Sequence, residues 1–414
     1  MEKKWIIIGI MLCTALILLP AASFAGPIKV LAQFPMSGVA GSLPEYSWGF
    51  IDGMSYINGK GGVNGKPITF FVEDNRYNPT VEVANFTRYT AMEKRDEFLM
   101  ASGYQTGGLK ALSEKVNKEE RIPYLSGSYS MEIFGPEGGP SKYPYYYSLG
   151  ATYGDQFRVL LNWVKEDSKG KGRMAIVYSP TEWGRDPLTM ARGHAKKIGL
   201  PIVAEEEYAF TATDATPQVT NVRKAKADYV FFHGYSPAAP VAALFMKTAR
   251  QYLKQATILG THYTTIQYII LTSGKAADRM VGVRCRVQSD DLTNPVVKMA
   301  HEFAEKYKRK EGIRDMGVYV EGLNYSLIFH EALSRADRAG SLSREGVKKA
   351  LDTMIWDFNG LFEGRSFAYK SHTIPMVRVF RCRVDKEIEK EGKRVAVGTW
   401  VPIGPWINTE IELK

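Results

Sequence analysis

The sequence predicts an α/β protein made of two doubly wound lobes, each built on a mainly parallel sheet. Short apolar segments alternate with amphipathic helical patterns along most of the chain, which favours parallel sheets covered by helices on both faces. This alternation begins twice, at Ile28 and again after a helical pattern that starts near Asp155. A length of 414 residues also suits two or three domains of about 150 residues each.

Short apolar runs supply the predicted strands of both lobes. In chain order these runs are Ile28–Phe34, Pro67–Glu73, Glu97–Ala101, Met174–Tyr178, Tyr229–His233 and Ile258–Leu259. The helices between them follow from apolar residues at positions i, i+3, i+4 and i+7. One such set is Phe157, Leu160, Leu161 and Val164.

The order of elements changes after Met280. A strand is predicted at Val281–Val287, followed by three helical patterns and two long strand-like runs, Met376–Val384 and Val395–Pro402. Helices that return before late strands indicate that the chain crosses between the lobes more than once.

The first 25 residues are predicted to be a secretory signal peptide. Lys3 and Lys4 precede the uncharged apolar run Trp5–Leu19, and the small residues of Ser23-Phe24-Ala25 suit a cleavage site before Gly26. An uncleaved membrane anchor is the alternative. No later run reaches about 18 consecutive apolar residues, so we expect a soluble exported protein.

The mature chain is basic. The full sequence has a net charge of +10, and loss of Lys3, Lys4 and Glu2 with the signal leaves +9. A basic protein can bind nucleic acid, anionic surfaces or small anions. The cations are scattered, however, and the densest run, Lys306–Lys310, ends an amphipathic helix, where it suits the helix dipole. We therefore expect no nucleic-acid partner.

No familiar enzyme or metal motif occurs in the chain. The six histidines are dispersed, so neither a metal cluster nor a cofactor site is predicted. Phosphate-binding, dinucleotide-binding, nucleophile-elbow and zinc-protease motifs are missing. Cys285 and Cys382 remain after signal cleavage, and an even pair in an oxidising compartment is compatible with one disulfide.

Two hydroxyl-rich loops are the best candidates for a binding site. Ser102–Gly108 follows one predicted strand, and Ser126–Ser130 follows Pro123–Leu125. Ligands of open α/β sheets bind beyond the carboxyl ends of strands. Glycines allow close approach of the backbone to a ligand, and a helix N-terminus suits a carboxylate. An ordinary turn with a threonine cap is the alternative for the first loop.

Ordered segments across the mature chain resemble the type I periplasmic binding proteins of ATP-driven importers, in the leucine/isoleucine/valine-binding branch. The matching segments are Phe34–Gly38, Ile57–Ile68, Glu73–Asn75, Asn78–Pro79, Ile122–Ser126, Ala175–Tyr178, Trp183–Gly184, Ala227–Val230 and Gly282–Val283. The resemblance implies a first lobe of residues 27–148 plus 287–377 and a second lobe of residues 149–286 plus 378–414. Crossovers near 149, 286 and 378 would form a three-stranded hinge.

The resemblance also implies how such a protein works. A small molecule binds between the lobes, which close over it, and the closed form docks on membrane permease subunits. We expect a monomer without cofactor or catalytic activity. Because the resemblance places Cys285 and Cys382 beside the hinge, we predict a disulfide between them.

Several site residues follow by position from the same resemblance. Thr106 and Gly107 would hold a ligand carboxylate, together with backbone groups at Ser128 and the hydroxyl of Ser130. Tyrosines are expected to line the rest of the pocket. They are Tyr104, Tyr129, Tyr153, Tyr235 and Tyr263.

One departure from the family pattern concerns the ligand. Amino-acid-binding members place a glutamate after Leu-Gly-x to pair with the ligand ammonium, whereas here Leu259-Gly260-Thr261 is followed by His262. A buried ammonium needs a counter-charge, which a neutral histidine does not supply. An ordinary α-amino acid is therefore less favoured, and the tyrosines suit an aromatic or branched-chain, amino-acid-like carboxylate. The expected partner is a small-molecule carboxylate or an amino acid.

Other functions remain open on the sequence alone. A ligand-sensing domain that serves a signalling partner is the main alternative within the same fold. A secreted α/β enzyme is the second, and it would turn over its ligand instead of binding it reversibly.

Overall fold

The computed structural model describes residues 28–38, 43–91, 95–234, 241–390 and 393–413. The predicted signal peptide and Tyr235 lie outside the described residues. Within the described ranges, none of the helices combines the length and apolar character needed to cross a membrane.

The first sheet is entirely parallel. Its strands are β1 (Ile28–Phe34), β2 (Ile68–Asp74), β3 (Phe98–Gly103), β4 (Tyr124–Ser126) and β5 (Tyr146–Ser148), in the order β2-β1-β3-β4-β5. β3, β4 and β5 are buried along their whole length, which explains why each begins with apolar residues that do not alternate with polar ones.

The second sheet combines parallel strands with an antiparallel edge. Its strands are β6 (Met174–Tyr178), β7 (Ile202–Glu207), β8 (Tyr229–His233), β9 (Thr257–Gly260), β10 (Val281–Arg284), β13 (Met376–Lys390) and β14 (Lys393–Asn408), in the order β14-β13-β10-β9-β8-β6-β7. β13 joins β10 and β14 in antiparallel register. A separate two-stranded ribbon pairs β11 (Ile355–Trp356) with β12 (Phe367–Ala368).

Helices alternate with most of the strands. They are α1 (Pro44–Gly59), α2 (Pro79–Thr90), α3 (Thr106–Ala111), α4 (Met131–Phe134), α5 (Tyr153–Asp167), α6 (Glu182–Arg185), α7 (Leu188–Ile198), α8 (Thr216–Lys224), α9 (Val241–Tyr252), α10 (Gln267–Ser273), α11 (Pro295–Lys306), α12 (Met316–Arg338), α13 (Arg344–Thr353) and α14 (Thr409–Glu412). Local sequence fixes several starts. For α2, the side chain of Asn78 accepts from the N–H of Thr80, and Pro79 occupies the first turn.

The long helix α12 packs against α1 and brings Glu321 into the interior. The two helices approach so closely that a Cβ at Gly49 would lie 2.7 Å from the backbone nitrogen of Leu323. A Cβ at Gly322 would overlap the backbone of Tyr46. Glycine at these two positions therefore permits the contact, and it places Tyr46 beside Glu321.

The predicted fold class is confirmed, and most strands lie where the sequence placed them. β1, β6 and β8 coincide with their predicted bounds, whereas β10 ends at Arg284 and not at Val287. The edge strand β7 has no counterpart among the predicted strands, since half of its residues are glutamates. The division into lobes of residues 27–148 plus 287–377 and 149–286 plus 378–414 stays a prediction.

The predicted disulfide is wrong, because Cys285 and Cys382 are both free. The register of β10 and β13 pairs Arg284 with Arg378. Cys285 therefore stands about four to five residues along the ladder from Cys382. At roughly 3.3 Å per residue, the two Cα atoms are far beyond the about 7 Å that a disulfide tolerates. Burial raises the pKa of each thiol to about 12.

Candidate functional site

Loops that follow strands of the first sheet meet loops that follow strands of the second. Tyr104, after β3, has its ring centroid 5.7 Å from that of Tyr263, after β9. Tyr129, after β4, stacks on Tyr263 at 5.4 Å and contacts Tyr153 at 5.6 Å. These four tyrosines are at most 3% exposed. The structure thus brings four of the predicted tyrosines into one buried cluster between the sheets.

The two hydroxyl-rich loops are joined by a direct contact. Thr106 Oγ1 lies 2.7 Å from Ser128 Oγ, and both side chains are buried. Thr106 is the first residue of α3, whose preceding residue Gln105 makes no side-chain cap. The N–H of Ser128 donates to Ser126 Oγ at 3.0 Å, so this backbone group has a partner within its own loop.

The glycines of the first loop surround a buried carboxyl group. A Cβ at Gly103 would overlap Glu82 Oε1 and the hydroxyl oxygen of Tyr124, and one at Gly108 would lie 2.6 Å from Glu82 Cδ. A Cβ at Gly107 would lie 2.8 Å from Pro79 Cγ. The sequence suggested that these glycines admit a ligand, whereas the contacts show that they admit residues of α2.

Glu82 is held behind the loop by neutral hydrogen-bond donors. The Tyr124 hydroxyl donates to Oε1 at 2.8 Å, and Asn75 Nδ2 donates to Oε2 at 2.8 Å. Burial raises the pKa of Glu82 to about 7, although bonds from Tyr124, Gln105 and Asn75 act in the opposite direction. The carboxyl group can therefore gain or lose a proton near neutral pH.

Ser130 has a partner that the sequence did not anticipate. Its hydroxyl donates to Asp186 Oδ1 at 2.5 Å, and the N–H of Met131 donates to Asp186 Oδ2 at 2.5 Å. Ser130 Oγ also caps α4 by accepting from the N–H of Ile133. Asp186 follows α6, which lies between β6 and β7 of the second sheet. This contact therefore joins the half that contains the first sheet to the half that contains the second.

Aromatic side chains form one wall of the cluster. The Tyr153 ring contacts Trp183 edge-on at 6.1 Å and His233 at 5.8 Å. The ring centroids of Trp183 and His233 lie 4.0 Å apart. His233 Nε2 lies 3.3 Å from the carbonyl oxygen of Trp183, and burial lowers the pKa of His233 to about 3. This wall is therefore uncharged and apolar at neutral pH.

A buried ion pair lies at the other side of the tyrosine cluster. Glu321 Oε2 accepts from the guanidinium of Arg286 and, at 3.0 Å, from the hydroxyl of Tyr46. Glu321 Oε1 lies 3.2 Å from the hydroxyls of both Tyr129 and Tyr263. Burial alone would raise the pKa of Glu321, but the charge of Arg286 holds this pKa well below its usual range. Glu321 is therefore ionised, and the positive charge of Arg286 compensates it.

His262 faces this ion pair as a neutral side chain. Its Nδ1 accepts from the N–H of Cys285 at 3.2 Å, so the proton is on Nε2, which lies 3.9 Å from Glu321 Oε2. Burial, followed by the charge of Arg286, lowers the pKa of His262 to about 3. His262 is therefore buried beside the cluster and carries no charge at neutral pH, and its expected contact with a ligand stays a prediction.

Further contacts close the rim of the cluster. Lys110, on α3, lies 2.6 Å from Glu132 and 2.8 Å from Glu182. The ring of Tyr77, before α2, contacts that of Phe210, after β7, at 5.9 Å. The contacts of Lys110 with Glu182 and of Tyr77 with Phe210 each join the half that contains the first sheet to the half that contains the second.

Sequence reasoning missed five buried side chains in or next to the cluster. They are Glu82, Trp183, Asp186, Arg286 and Glu321. Glu321 is the single acid within the run Met316–Leu323. This position was the available signal, because an acid among apolar residues is buried only when it has a partner. Asp186 carried no local signal. Tyr235 lies outside the described residues, so its expected place in the pocket stays a prediction.

Within the described part of the chain, no group of three or more histidine, cysteine, aspartate or glutamate side chains could hold a metal ion. The cluster instead offers paired hydroxyls, phenol groups and aromatic faces. These groups suit an organic molecule with one polar end and one apolar body.

Known proteins resemble this chain along almost its whole length. The Leu/Ile/Val-binding protein of Citrobacter freundii is 24% identical over 371 residues, which are 89% of this chain and 95% of that protein. A branched-chain amino acid ABC transporter structure from Thermus thermophilus with bound valine superposes with a TM-score of 0.78 at 23% identity, covering 92% of this chain and 97% of that one.

A second similar structure carries a different ligand. The solute-binding protein of an ABC transporter from Rhodopseudomonas palustris BisB5, in complex with 3,4-dihydroxybenzoic acid, has a TM-score of 0.68 at 17% identity. It covers 92% of this chain and 98% of that one. At these identities, the solved structures establish the fold. The family described as periplasmic binding protein matches residues 27–387, well over half of the sequence, and the chain belongs to this family.

Proposed function

We propose that this protein is the solute-binding component of an ABC importer and binds a small carboxylate between its two lobes. The contact between Thr106 Oγ1 and Ser128 Oγ at 2.7 Å is the observation that carries this proposal. Two hydroxyls from neighbouring loops can turn their hydrogens towards one anion, and each charge-assisted bond contributes about 1.5–3 kcal/mol.

The apolar body of the ligand is proposed to lie against the aromatic wall. Tyr153, Trp183 and His233 offer ring faces and edges that are uncharged at neutral pH. Tyr104, Tyr129 and Tyr263 add apolar faces with polar tips. This combination supports an aromatic or branched-chain carboxylate. The Rhodopseudomonas palustris relative, which carries 3,4-dihydroxybenzoic acid, shows that the fold accommodates an aromatic acid.

We propose further that the ligand lacks an ammonium group. The acid nearest to His262 is Glu321, and its charge is already compensated by Arg286. His262 itself is neutral. A ligand ammonium would therefore be desolvated without a free counter-charge, which costs several kcal/mol.

Family membership implies a location outside the cytoplasm. We propose the periplasm, reached through a signal peptide cleaved after Ala25, and permease subunits of an ABC importer as the partner. The protein is proposed to act as a monomer that binds and releases its ligand unchanged. A ligand of this kind would favour the closed arrangement because it contacts both lobes.

A thermal-shift and calorimetric screen tests the proposal with six named probes. They are 3,4-dihydroxybenzoate, phenylacetate, 4-methyl-2-oxopentanoate, octanoate, leucine and valine. We expect at least one of the four ammonium-free acids to bind, and its uncharged amide analogue to bind at least tenfold more weakly. Leucine and 4-methyl-2-oxopentanoate form a matched pair that differs only at the α-position, and the oxo acid should bind more tightly.

Variants connect the binding to the proposed anchor. Thr106→Ala should weaken carboxylate binding by roughly tenfold, because one charge-assisted hydrogen bond is lost. Thr106→Ser keeps the hydroxyl and should restore most of the affinity. Equal binding by wild type and Thr106→Ala, or equal binding of acid and amide, would refute the anchor. Conversion of a probe into product would instead indicate an enzyme.

A further inference from the structure

Glu82 is a buried carboxyl group directly behind the loop that bears Thr106. Its carboxylate lies against Gly103, the last residue of β3, and against Gly108, the third residue of α3. The four residues between these glycines include Tyr104 and Thr106. Any change in charge or hydrogen bonding at Glu82 therefore acts on the loop from its inner side.

No cation compensates Glu82 in the described part of the chain. Its direct partners are the Tyr124 hydroxyl, the Asn75 amide and Gln105, and all of them are neutral donors. The ionisable side chains whose pKa values its charge raises are all tyrosines from the packed elements. They are Tyr77 before α2, Tyr124 on β4, Tyr146 on β5 and Tyr325 on α12. A buried carboxylate among neutral groups gains free energy by taking up a proton.

We infer that Glu82 is a positioning residue of the ligand site that takes up one proton from the solvent as a carboxylate binds at Thr106 and Ser128. This inference rests on the proposed function. A ligand anion in front of the loop and an ionised Glu82 behind it would repel each other across a poorly solvated interior. Protonation of Glu82 removes this repulsion while its hydrogen bonds keep the loop in place.

The direction of the pH dependence follows from this coupling. Burial already raises the pKa of Glu82 to about 7 in the free protein, and a neighbouring anion raises it further. Binding then draws protons from the buffer at neutral pH, and affinity increases as pH falls. We expect binding about five- to tenfold tighter at pH 6 than at pH 8. His233 and His262 have pKa values of about 3 and stay neutral across this interval.

Calorimetry on the wild-type protein tests the inference without any substitution. Each of the six probes that binds is titrated at pH 7 in PIPES and in Tris, whose ionisation enthalpies differ. We expect uptake of about 0.3–0.5 proton per bound carboxylate, because a group with a pKa near 7 is half protonated at that pH. Binding with no proton uptake would overturn the inference and leave the carboxylate anchor intact.

Two variants assign the proton to Glu82. Glu82→Gln mimics the protonated acid, so uptake should vanish and the dissociation constant should become nearly independent of pH between 6 and 8. Glu73→Gln on β2 is the control, since Glu73 is paired with Arg88 and should leave the uptake unchanged. A Glu82→Gln protein that weakens binding equally at every pH, or keeps the uptake, would overturn the inference. If none of the probes binds, the proposed anchor and this inference both fail.

Discussion

Ser130 and Asp186 form a hydrogen bond of 2.5 Å between the two halves of the molecule. Asp186 also accepts from the N–H of Met131, so one carboxylate of the second half holds the first turn of α4 in the first. The residue expected to bind a ligand carboxylate therefore binds a carboxylate of the protein itself. We interpret this contact as part of the closed arrangement of the lobes.

The first prediction concerns that contact. Asp186→Ala should favour the open arrangement, because two hydrogen bonds to a charged acceptor are lost on closure. We expect a probe carboxylate to bind about tenfold more weakly, with a larger radius of gyration in solution scattering. Glu389→Ala, an exposed acid on β13, serves as the control. An unchanged affinity in Asp186→Ala would show that the contact does not contribute to closure.

The second prediction concerns the buried ion pair of Glu321 and Arg286. Glu321→Gln leaves the Arg286 guanidinium buried without its counter-charge, which should lower the free energy of unfolding by about 3–5 kcal/mol. Denaturant unfolding measures this loss. Adding Arg286→Met removes the stranded charge, so the double variant should recover part of the stability. A double variant less stable than Glu321→Gln would contradict this account.

The third prediction concerns acid stability. Burial lowers the pKa values of His233 and His262 to about 3, against about 6.5 in an unfolded chain. Below pH 6.5 the unfolded state therefore binds protons that the folded state does not. The free energy of unfolding should fall by about 1.4 kcal/mol per pH unit for each histidine as pH decreases from 6.5 to 3.

Glu82 acts in the opposite direction. Its raised pKa of about 7 makes the folded state bind a proton between about pH 4.5 and 7, which offsets one of the two histidines. Comparing wild type with His262→Gln isolates the histidine term, since the variant should lose about 1.4 kcal/mol per pH unit of slope below pH 6.5. Equal slopes in urea unfolding would show that His262 is protonated in the folded protein.

The fourth prediction concerns ligand charge. His262→Glu would place a second buried carboxylate beside Glu321, whose charge Arg286 already compensates, so binding of an ammonium-free acid should weaken at least tenfold. Isothermal calorimetry with 4-methyl-2-oxopentanoate and leucine measures the effect. If wild-type protein binds leucine or valine more tightly than every ammonium-free probe, the role assigned to His262 is wrong.

The fifth prediction concerns the thiols. Cys285 and Cys382 are free, buried and have pKa values raised to about 12, so neither should react with a thiol reagent in the folded protein. Protein lacking residues 1–25 should show two reactive thiols after denaturation without reductant. A reducing agent should leave its melting temperature unchanged. Fewer than two thiols would contradict the free state of the pair.

Local sequence was sufficient for several fully buried strands, although β5, which is also fully buried, was not predicted. β8, for example, has four apolar residues followed by His233, all of them buried, and such a continuous run is typical of a buried parallel strand. β7 has the sequence Ile-Val-Ala-Glu-Glu-Glu and an exposed edge position. Its pairing with β6 decides its structure, and such long-range pairing leaves little trace in a local pattern.

The site was predictable only on the side that the loops determine. Thr106 and Ser128 follow strands, so topology alone brought them together. Glu321 pairs with Tyr46 and Arg286, and both residues lie far from it in sequence. Gly103 and Gly108 were expected to give a ligand access to the loop. They lie instead against Glu82 of α2, about 20 residues away in sequence, and this contact has no local signal. Contacts of this kind are set by packing and not by local spacing.

The antiparallel edge of the second sheet has a consequence for biosynthesis. β10 pairs with β13 across about a hundred residues of chain, and Phe380, Cys382, Ala396 and Trp400 complete the core that covers β8 and β9. A nascent chain that stops before Met376 therefore leaves one edge of β10 without its ladder and this core incomplete. The second sheet and its core can be completed only when nearly the whole polypeptide has been made, so this half of the molecule finishes folding at the end of synthesis.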